Sequence, residues 1–156
     1  LLLVLVPVLL NPAPKMQIRS VDVKATALQA AGDAGYAPLA PNLPDGWSAN
    51  YARWEASGSA GVPVWEVGYL TPGMEFIRLS ETSAGNPTWI AQTSGDAKVA
   101  GERTAGGQTW ELRDSADGKA SMVLELNGLT VVLTGEADLA EFDVLAEAVV
   151  SDLSND

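Results

Sequence analysis

The most regular pattern of apolar and polar residues is a pair of segments, 120–126 and 129–134, separated by Asn127-Gly128. An Asn-Gly pair readily takes the positive φ angles of a two-residue type I′ turn, so the two segments are predicted to pair as a β-hairpin. In that register, six apolar residues share one face of the hairpin: Met122, Leu124, Leu126, Leu129, Val131 and Leu133. That face therefore has to be covered by another element.

A helix is predicted to supply this cover directly after the hairpin. Gly135 ends the second strand, and Asp138, followed three residues later by Glu141, forms an acidic version of the capping box. Between Leu139 and Leu153, apolar residues recur every three or four positions, which is the spacing of one helical stripe. We expect this stripe to pack on the apolar face of the hairpin.

Five strands and two helices are predicted before the hairpin. The predicted ranges are a helix over 23–34, strands over 47–55, 62–70 and 74–80, a helix over 88–93, and strands over 97–104 and 108–113. Asp22 and Asn86 are expected to cap the two helices, because short polar side chains accept hydrogen bonds from the first turn. The whole pattern predicts an α+β fold, a mainly antiparallel sheet of about seven strands sandwiched by N-terminal, middle and C-terminal helices.

Two local details of the first strands carry predictions of their own. Alternation along the first strand divides its side chains into two sets, with Trp47, Ala49 and Tyr51 on one side and Ala52 and Trp54 on the other. Further on, the order Thr71-Pro72-Gly73 predicts a type II turn, in which the glycine takes a positive φ.

The first ten residues are apolar throughout, and residues 11–20 have the proline-interrupted sequence of an extended tether. Ten residues span about half of a bilayer's hydrocarbon at ~1.5 Å per residue. We interpret residues 1–10 as the end of an uncleaved transmembrane anchor, because Pro14 directly after Ala13 fits a cleavage site poorly. A signal peptide, a buried strand and an ordinary helix are the alternatives. Residues 21–156 are expected to form one domain.

The chain is strongly acidic, with 20 Asp and Glu residues against 9 Lys and Arg residues and a formal charge of -11. After Lys119, it has eight acidic residues and no basic one. Such a surface repels phosphate, so binding to nucleic acid or to an anionic membrane surface is disfavoured. A solvated acidic surface is the ordinary interpretation, and an acidic docking site is the alternative.

The sequence contains no histidine and no cysteine, which removes histidine-based triads, cysteine nucleophiles, Cys/His zinc sites and thiol redox chemistry. Residues 114–118 lack the ligand spacing of an EF-hand calcium loop, and no nucleotide-binding fingerprint is present. We therefore predict no cofactor, no metal and no enzymatic activity. The remaining catalytic option is a pair of carboxylates, for which Glu55 and Glu66 on neighbouring strands are the candidates.

Five tryptophans are many for a chain of this length. At strand spacing such residues most often form core, but aromatic faces also suit sugars and apolar ligands. The candidates for lining a binding cleft are Trp54, Trp65 and Trp89. Trp54 is singled out because its predicted side of the strand is opposite to that of Trp47.

The order and spacing of several segments resemble the actinobacterial family known as domain of unknown function 4245. The segments that carry the likeness are Pro41 to Trp47, Val67 to Pro72, Gly107 to Glu111, Val131 to Gly135, Asp138-Leu139 and Leu145-Ala146. The likeness covers roughly residues 21–150. It implies a single N-terminal membrane anchor and an extracytoplasmic domain, with no assigned activity. The layout is also similar to the Mog1/PsbP-like sandwiches, which serve as protein-binding and accessory modules.

We therefore expect a single-pass cell-membrane protein whose domain lies outside the cytoplasm and binds an unknown cell-envelope protein without catalysis. Contact with the membrane is expected through the N-terminal anchor alone. A small-molecule binding protein, taking a lipid or glycan in a cleft lined by tryptophans, is the alternative. A carboxylate-based hydrolase is the third hypothesis.

Overall fold

Residues 20–155, which are the residues that the computed structural model describes, form seven strands and three α-helices. The helices are α1 (Val23–Ala34), α2 (Pro87–Thr93) and α3 (Leu139–Ser154). The strands are β1 (Ser48–Glu55), β2 (Val64–Leu70), β3 (Phe76–Thr82), β4 (Lys98–Ala105), β5 (Gln108–Asp114), β6 (Ala120–Leu126) and β7 (Leu129–Gly135). Every predicted element is present, with ends that differ by at most two residues from the predicted ranges.

The seven strands form one antiparallel sheet in the order β1-β2-β3-β7-β6-β5-β4. Strand β7 pairs with β3 as well as with β6, so the C-terminal hairpin joins the two halves of the sheet at its centre. Strands β1 and β4 are the two edges. The predicted fold class, an α+β sandwich built on an antiparallel sheet, is confirmed.

The hairpin of β6 and β7 has the predicted register. Its pairs include Leu126 with Leu129, Leu124 with Val131 and Met122 with Leu133. The turn residues Asn127 and Gly128 have φ angles of 54° and 77°, as a type I′ turn requires. The Asn127-Gly128 turn therefore fixes the register of β6 and β7, and with it the face of the sheet on which each of their side chains lies.

Helices α1 and α3 cover one face of the sheet, which we call the inner face. The stripe of α3 buries Phe142, Leu145, Ala146 and Val149 completely, in one core with the apolar face of the hairpin. The predicted packing of this helix on the hairpin is thus confirmed. Each large side chain buried in this way contributes about 1.5 to 3 kcal/mol, which makes the inner core the main source of stability.

Helix α2 lies on the opposite, outer face and builds a second, smaller core. Trp89 and Ile90 of this helix are buried with Val64, Val123 and Val132 of the sheet. Because α2 has only seven residues, it covers the middle of the outer face and leaves both flanks open. The second layer is therefore thin.

The predicted division of side chains in β1 is wrong at Tyr51. Ala49 pairs with Tyr69 but Tyr51 pairs with Gly68, so Asn50 is an extra residue in a β-bulge. The bulge reverses the alternation, which places Tyr51 on the outer face and returns Trp54 to the inner core with Ala49. Strict alternation predicts that Trp54 and Ala49 face opposite sides of the sheet. The extra residue Asn50 places both on the inner side.

The first two helices are capped as predicted. The side chain of Asp22 accepts a hydrogen bond from the N–H of Ala25 at 3.1 Å, and that of Asn86 accepts one from the N–H of Trp89 at 2.8 Å. Gly35 ends α1 with a φ of 79°, a left-handed conformation that glycine adopts without strain.

The capping box predicted for α3 and the type II turn before β3 are both wrong. Asp138 occupies the N-cap position but makes no side-chain cap hydrogen bond, and the Glu141 carboxylate instead lies 3.5 Å from the N–H of Gly73. In that turn the positive φ of 61° belongs to Met74, one residue later than predicted. The turn lies next to the N-terminus of α3, so the Glu141 side chain contacts the backbone of the turn.

The predicted anchor at residues 1–10 and all but the last residue of the predicted tether at 11–20 lie outside the described residues, as does Asp156. Within residues 20–155, no helix combines the length and the apolar character needed to cross a membrane. Of the predicted domain at 21–156, the structure describes residues 21–155.

Candidate functional site

The outer face carries a groove on each side of α2. The first, which we call the acidic groove, has a volume of about 380 Å³ and is lined by Ile90, Val99, Gly101, Glu102, Thr109, Glu111, Arg113, Val123 and Glu125. The second, which we call the charged cleft, has a volume of about 100 Å³ and is lined by Glu55, Ser59, Val64, Glu66, Arg78, Ser80, Trp89, Gln92 and Thr93. Neighbouring residues of one short helix therefore form the walls of two different grooves.

The charged cleft contains the carboxylate pair that the sequence singles out. Arg53 bridges the two groups, with its Nε 3.0 Å from Glu55 and its Nη2 2.8 Å from Glu66. The Nε of Arg78 lies 3.9 Å from the other oxygen of Glu66, and its Nη2 donates to the carbonyl of Thr93 at 2.7 Å. The strands do bring the two carboxylates together, but a guanidinium group occupies the space between them.

Aromatic rings extend the charged cleft toward the edge of the sheet. The ring of Tyr51 stacks on that of Phe76 at a centroid distance of 6.5 Å, and the guanidinium of Arg53 lies 5.1 Å from the centre of the Tyr51 ring. Burial, and next the charge of Glu66, raise the pKa of the Tyr51 hydroxyl to about 12. Tyr51 therefore remains a neutral hydrogen-bonding group at every physiological pH.

The acidic groove is assembled from three neighbouring strands. Glu102 of β4 is directly opposite Glu111 of β5, which in turn is opposite Val123 of β6. Arg113 lies close enough to pair with Glu111, at 2.5 Å. Glu125 lies further along β6 in the same groove. Sequence reasoning missed this cluster, because its members become neighbours only through strand pairing.

The three candidate tryptophans do not line a common cleft. Trp65 is fully buried in the inner core, where its indole N–H donates to the carbonyl of Leu39 at 2.9 Å. Trp54 is its register partner on the same face and is only partly buried, beside the ring of Tyr36. Trp89 is buried on the opposite face. The structure thus brings Trp54 and Trp65 together and separates both from Trp89.

Trp54 is partly exposed and lines a surface groove. That groove has a volume of about 590 Å³ and is lined by Asp33, Ala34, Trp54, Ala56, Pro63 and Ser83. Trp89 also lines the charged cleft, but only 1 % of the residue is exposed.

A buried carboxylate that the sequence analysis did not single out anchors the proline-rich loop before β1. Glu81 of β3 is fully buried on the inner face, and one of its oxygens accepts a hydrogen bond from the N–H of Leu39 at 2.9 Å. Trp65 binds the carbonyl of the same residue, so Leu39 is held through both of its backbone polar groups. The available signal is that Glu81 falls on the alternating positions occupied by Ile77 and Leu79.

Metal binding has no support among the described residues. In residues 20–155, no group of three or more acidic side chains is arranged to hold a metal ion. The described residues thus form an acidic α+β fold with two grooves on its outer face and a third groove beside Trp54.

The chain belongs to the DUF4245 family, a family of proteins of unknown function, whose model matches residues 1–149. No curated protein and no solved structure matches the chain.

Proposed function

We propose that this protein is a non-catalytic binding module of the cell envelope, held at the membrane by its N-terminal segment, with its folded domain outside the cytoplasm. Its ligand in this proposal is another protein. In this proposal, the apolar residues 1–10 supply the anchor and the proline-interrupted residues 11–20 supply the tether. The folded domain supplies the contact surface.

The observation that carries the proposal is the partial cover of the outer face by α2. The inner face is covered by two helices, and large side chains such as Trp65, Trp110 and Phe142 fill its core. The outer face has one helix of seven residues and an open groove on each side of it. Open grooves on a rigid sheet suit a protein partner, whereas a small apolar ligand needs a more enclosed pocket.

The charged cleft supports binding over hydrolysis. A retaining or inverting glycosidase needs two carboxylates with room between them for a sugar or a water molecule. Here Arg53 contacts both Glu55 and Glu66, and the cleft has a volume of about 100 Å³. Such a bridged network favours a rigid recognition surface.

Photo-cross-linking in intact cells tests this proposal, with the full chain carrying a photoreactive residue at one of two glutamines. Gln92 is exposed on α2 at the outer face, and Gln29 is exposed on α1 at the inner side of the molecule. We expect a discrete cross-linked envelope protein from Gln92 and none from the matched position Gln29. Equal products from both positions, or none from either, would contradict the proposal.

A second candidate function is supported by the groove beside Trp54. Because this ring is partly exposed in a groove of about 590 Å³, it could contact a lipid or glycan. Titration with envelope lipids and glycan fragments would then change the tryptophan emission. The Trp54→Phe variant, which retains the buried tryptophans, identifies the responding ring by losing that change.

A further inference from the structure

The acidic groove borders an edge of the sheet that has no partner in residues 20–155. Strand β4 pairs with β5 on one side only. Residues 98–102 are all exposed, including Val99 with 61 % of its surface exposed. A bulge interrupts the pairing between Val99 and Gly101, and regular pairing continues from there to Ala105. The backbone groups of β4 that point away from β5 are therefore available to a further strand.

We propose that the acidic groove and the free edge of β4 bind an extended basic segment of the partner protein, which joins the sheet as an additional strand. This inference rests on the proposed function and specifies the partner's chemistry. The hydrogen bonds of strand addition hold the segment, and its side chains provide the selectivity.

The charges of the groove determine the sign of the partner. Glu102 and Glu111 are directly opposite each other on neighbouring strands, a pairing of like charges that destabilises a sheet. Arg113 compensates Glu111, whereas Glu102 and Glu125 form no ion pair with any residue of the described chain. A lysine or arginine of an added strand would lie beside Glu102 of β4, whereas Glu125 of β6 is two strands further in and adds to the negative potential of the groove.

The same charges disfavour a second copy of this chain as the occupant. Two β4 edges meeting around a twofold axis would bring two acidic grooves together, in molecules that each carry a formal charge of -11. The side of β4 that faces α3 is already fixed, because Arg103 pairs with Asp143. A basic segment from another protein would instead be attracted to the acidic groove.

The test measures binding of a fluorescent ten-residue peptide of alternating lysine and threonine to the folded protein by anisotropy. We expect it to bind at least ~10-fold more tightly than the matching glutamate and threonine peptide. The double variant Glu102→Gln with Glu111→Gln should weaken binding about 10-fold. The control variant Glu75→Gln with Glu136→Gln makes the same change in net charge at exposed positions outside the groove, and its affinity should remain within about twofold.

Strand addition is tested separately from charge. N-methylation at every second residue of the basic peptide removes hydrogen-bond donors and leaves the lysine charges unchanged. Two such peptides are compared, one methylated at the odd positions and one at the even positions. We expect only one of them to bind about 10-fold more weakly than the parent peptide, because only one edge of an added strand faces β4. Equal affinity of both methylated peptides and the parent, or equal loss in the groove and control variants, overturns the inference.

The two proposals fail in different ways. If Gln92 cross-links an envelope protein while the basic peptide shows no preference for the groove, the binding function stands and the basic strand is wrong. If Gln92 and Gln29 behave alike in cells, the proposed function is wrong whatever the peptide does. The peptide experiment needs only the folded protein, so its outcome does not depend on finding the partner.

Discussion

Arg103 of β4 and Asp143 of α3 are joined by two parallel hydrogen bonds, from Nε to Oδ1 at 2.6 Å and from Nη2 to Oδ2 at 2.7 Å. The pair connects an edge strand to the C-terminal helix across the inner side of the sheet. Two-pronged pairs of this kind fix geometry as well as adding energy. Strand β4 is therefore held on one face while its outer edge stays free.

Removing this pair should loosen the edge strand at a modest thermodynamic cost. Both side chains are about one third exposed, so we expect Asp143→Asn to lower the free energy of unfolding by about 0.5 to 1 kcal/mol in urea titrations. The change should shrink at high salt. Asp33→Asn, at an exposed position on α1, is the control and should change stability by less than about 0.5 kcal/mol. An equal effect of both variants would contradict this account of the pair.

Two glycines should respond to alanine with opposite signs. A Cβ on Gly32 of α1 meets nothing within 4 Å, so Gly32→Ala should stabilise the protein by about 0.5 to 1 kcal/mol through helix propensity. A Cβ on Gly135 would approach the carbonyl oxygen of Phe76, a backbone atom that the pairing of β3 and β7 holds in place. Gly135→Ala should destabilise by about 2 kcal/mol or more. Thermal unfolding measures both, and a neutral Gly135→Ala would contradict the close packing of these strands.

The hydroxyl of Tyr69 is expected to be dispensable for stability. It is buried and has no hydrogen-bond partner within residues 20–155, while the ring packs against Trp47 in the core. Because an unpaired buried hydroxyl loses its hydration without compensation, Tyr69→Phe should leave stability unchanged or raise it by about 1 kcal/mol. Tyr69→Ala, which removes the ring, should instead cost about 3 kcal/mol or more. A clear loss of stability in Tyr69→Phe would indicate a partner for this hydroxyl.

The three tyrosines predict how stability changes at alkaline pH. Burial, and next the charges of Glu81, Glu66 and Asp152 respectively, raise the pKa values of Tyr36, Tyr51 and Tyr69 above that of free tyrosine, which is ~10. Since the folded state favours the neutral phenols, their contribution to stability is complete below pH ~10 and is lost as the pH rises through the native pKa values.

We therefore expect the free energy of unfolding to decline above pH ~10, with a shallower decline in Tyr69→Phe than in the parent protein. Absorbance at about 295 nm follows tyrosinate formation, and circular dichroism follows the fold. Little tyrosinate should form near pH ~10 while the fold is intact. Ionisation of all three tyrosines at that pH in a protein that remains folded would show that their burial is wrong.

Local chemistry explains which parts of the architecture could be predicted. The pair Asn127-Gly128 determines the hairpin register, and Asn86 with Pro87 determines the start of α2, because each acts on its own backbone. The orientation of Tyr51 could not be predicted in this way. The bulge at Asn50 has no distinguishing residue type, and it follows from pairing with β2.

The candidate site was less accessible to prediction than the fold. The sequence places Glu55 and Glu66 on neighbouring strands, but the position of Arg53 between them depends on the register of β1 after the bulge. The acidic groove depends on the pairing of β4, β5 and β6, and its members are too far apart in sequence to form a motif. Residue type alone does not show which core a tryptophan joins, and Trp65 and Trp89 are buried in two different cores on opposite faces of the sheet.

Amide hydrogen exchange across the folded domain, measured free and bound to the envelope protein captured through Gln92, tests the central claim most directly. The account predicts that binding slows exchange in the outer-face segments, residues 87–93 and 98–114, while α1 is unaffected. Protection concentrated on α1 and the loop before β1, with the outer face unchanged, would contradict the claim that the half-covered face of the sheet is the surface this protein uses.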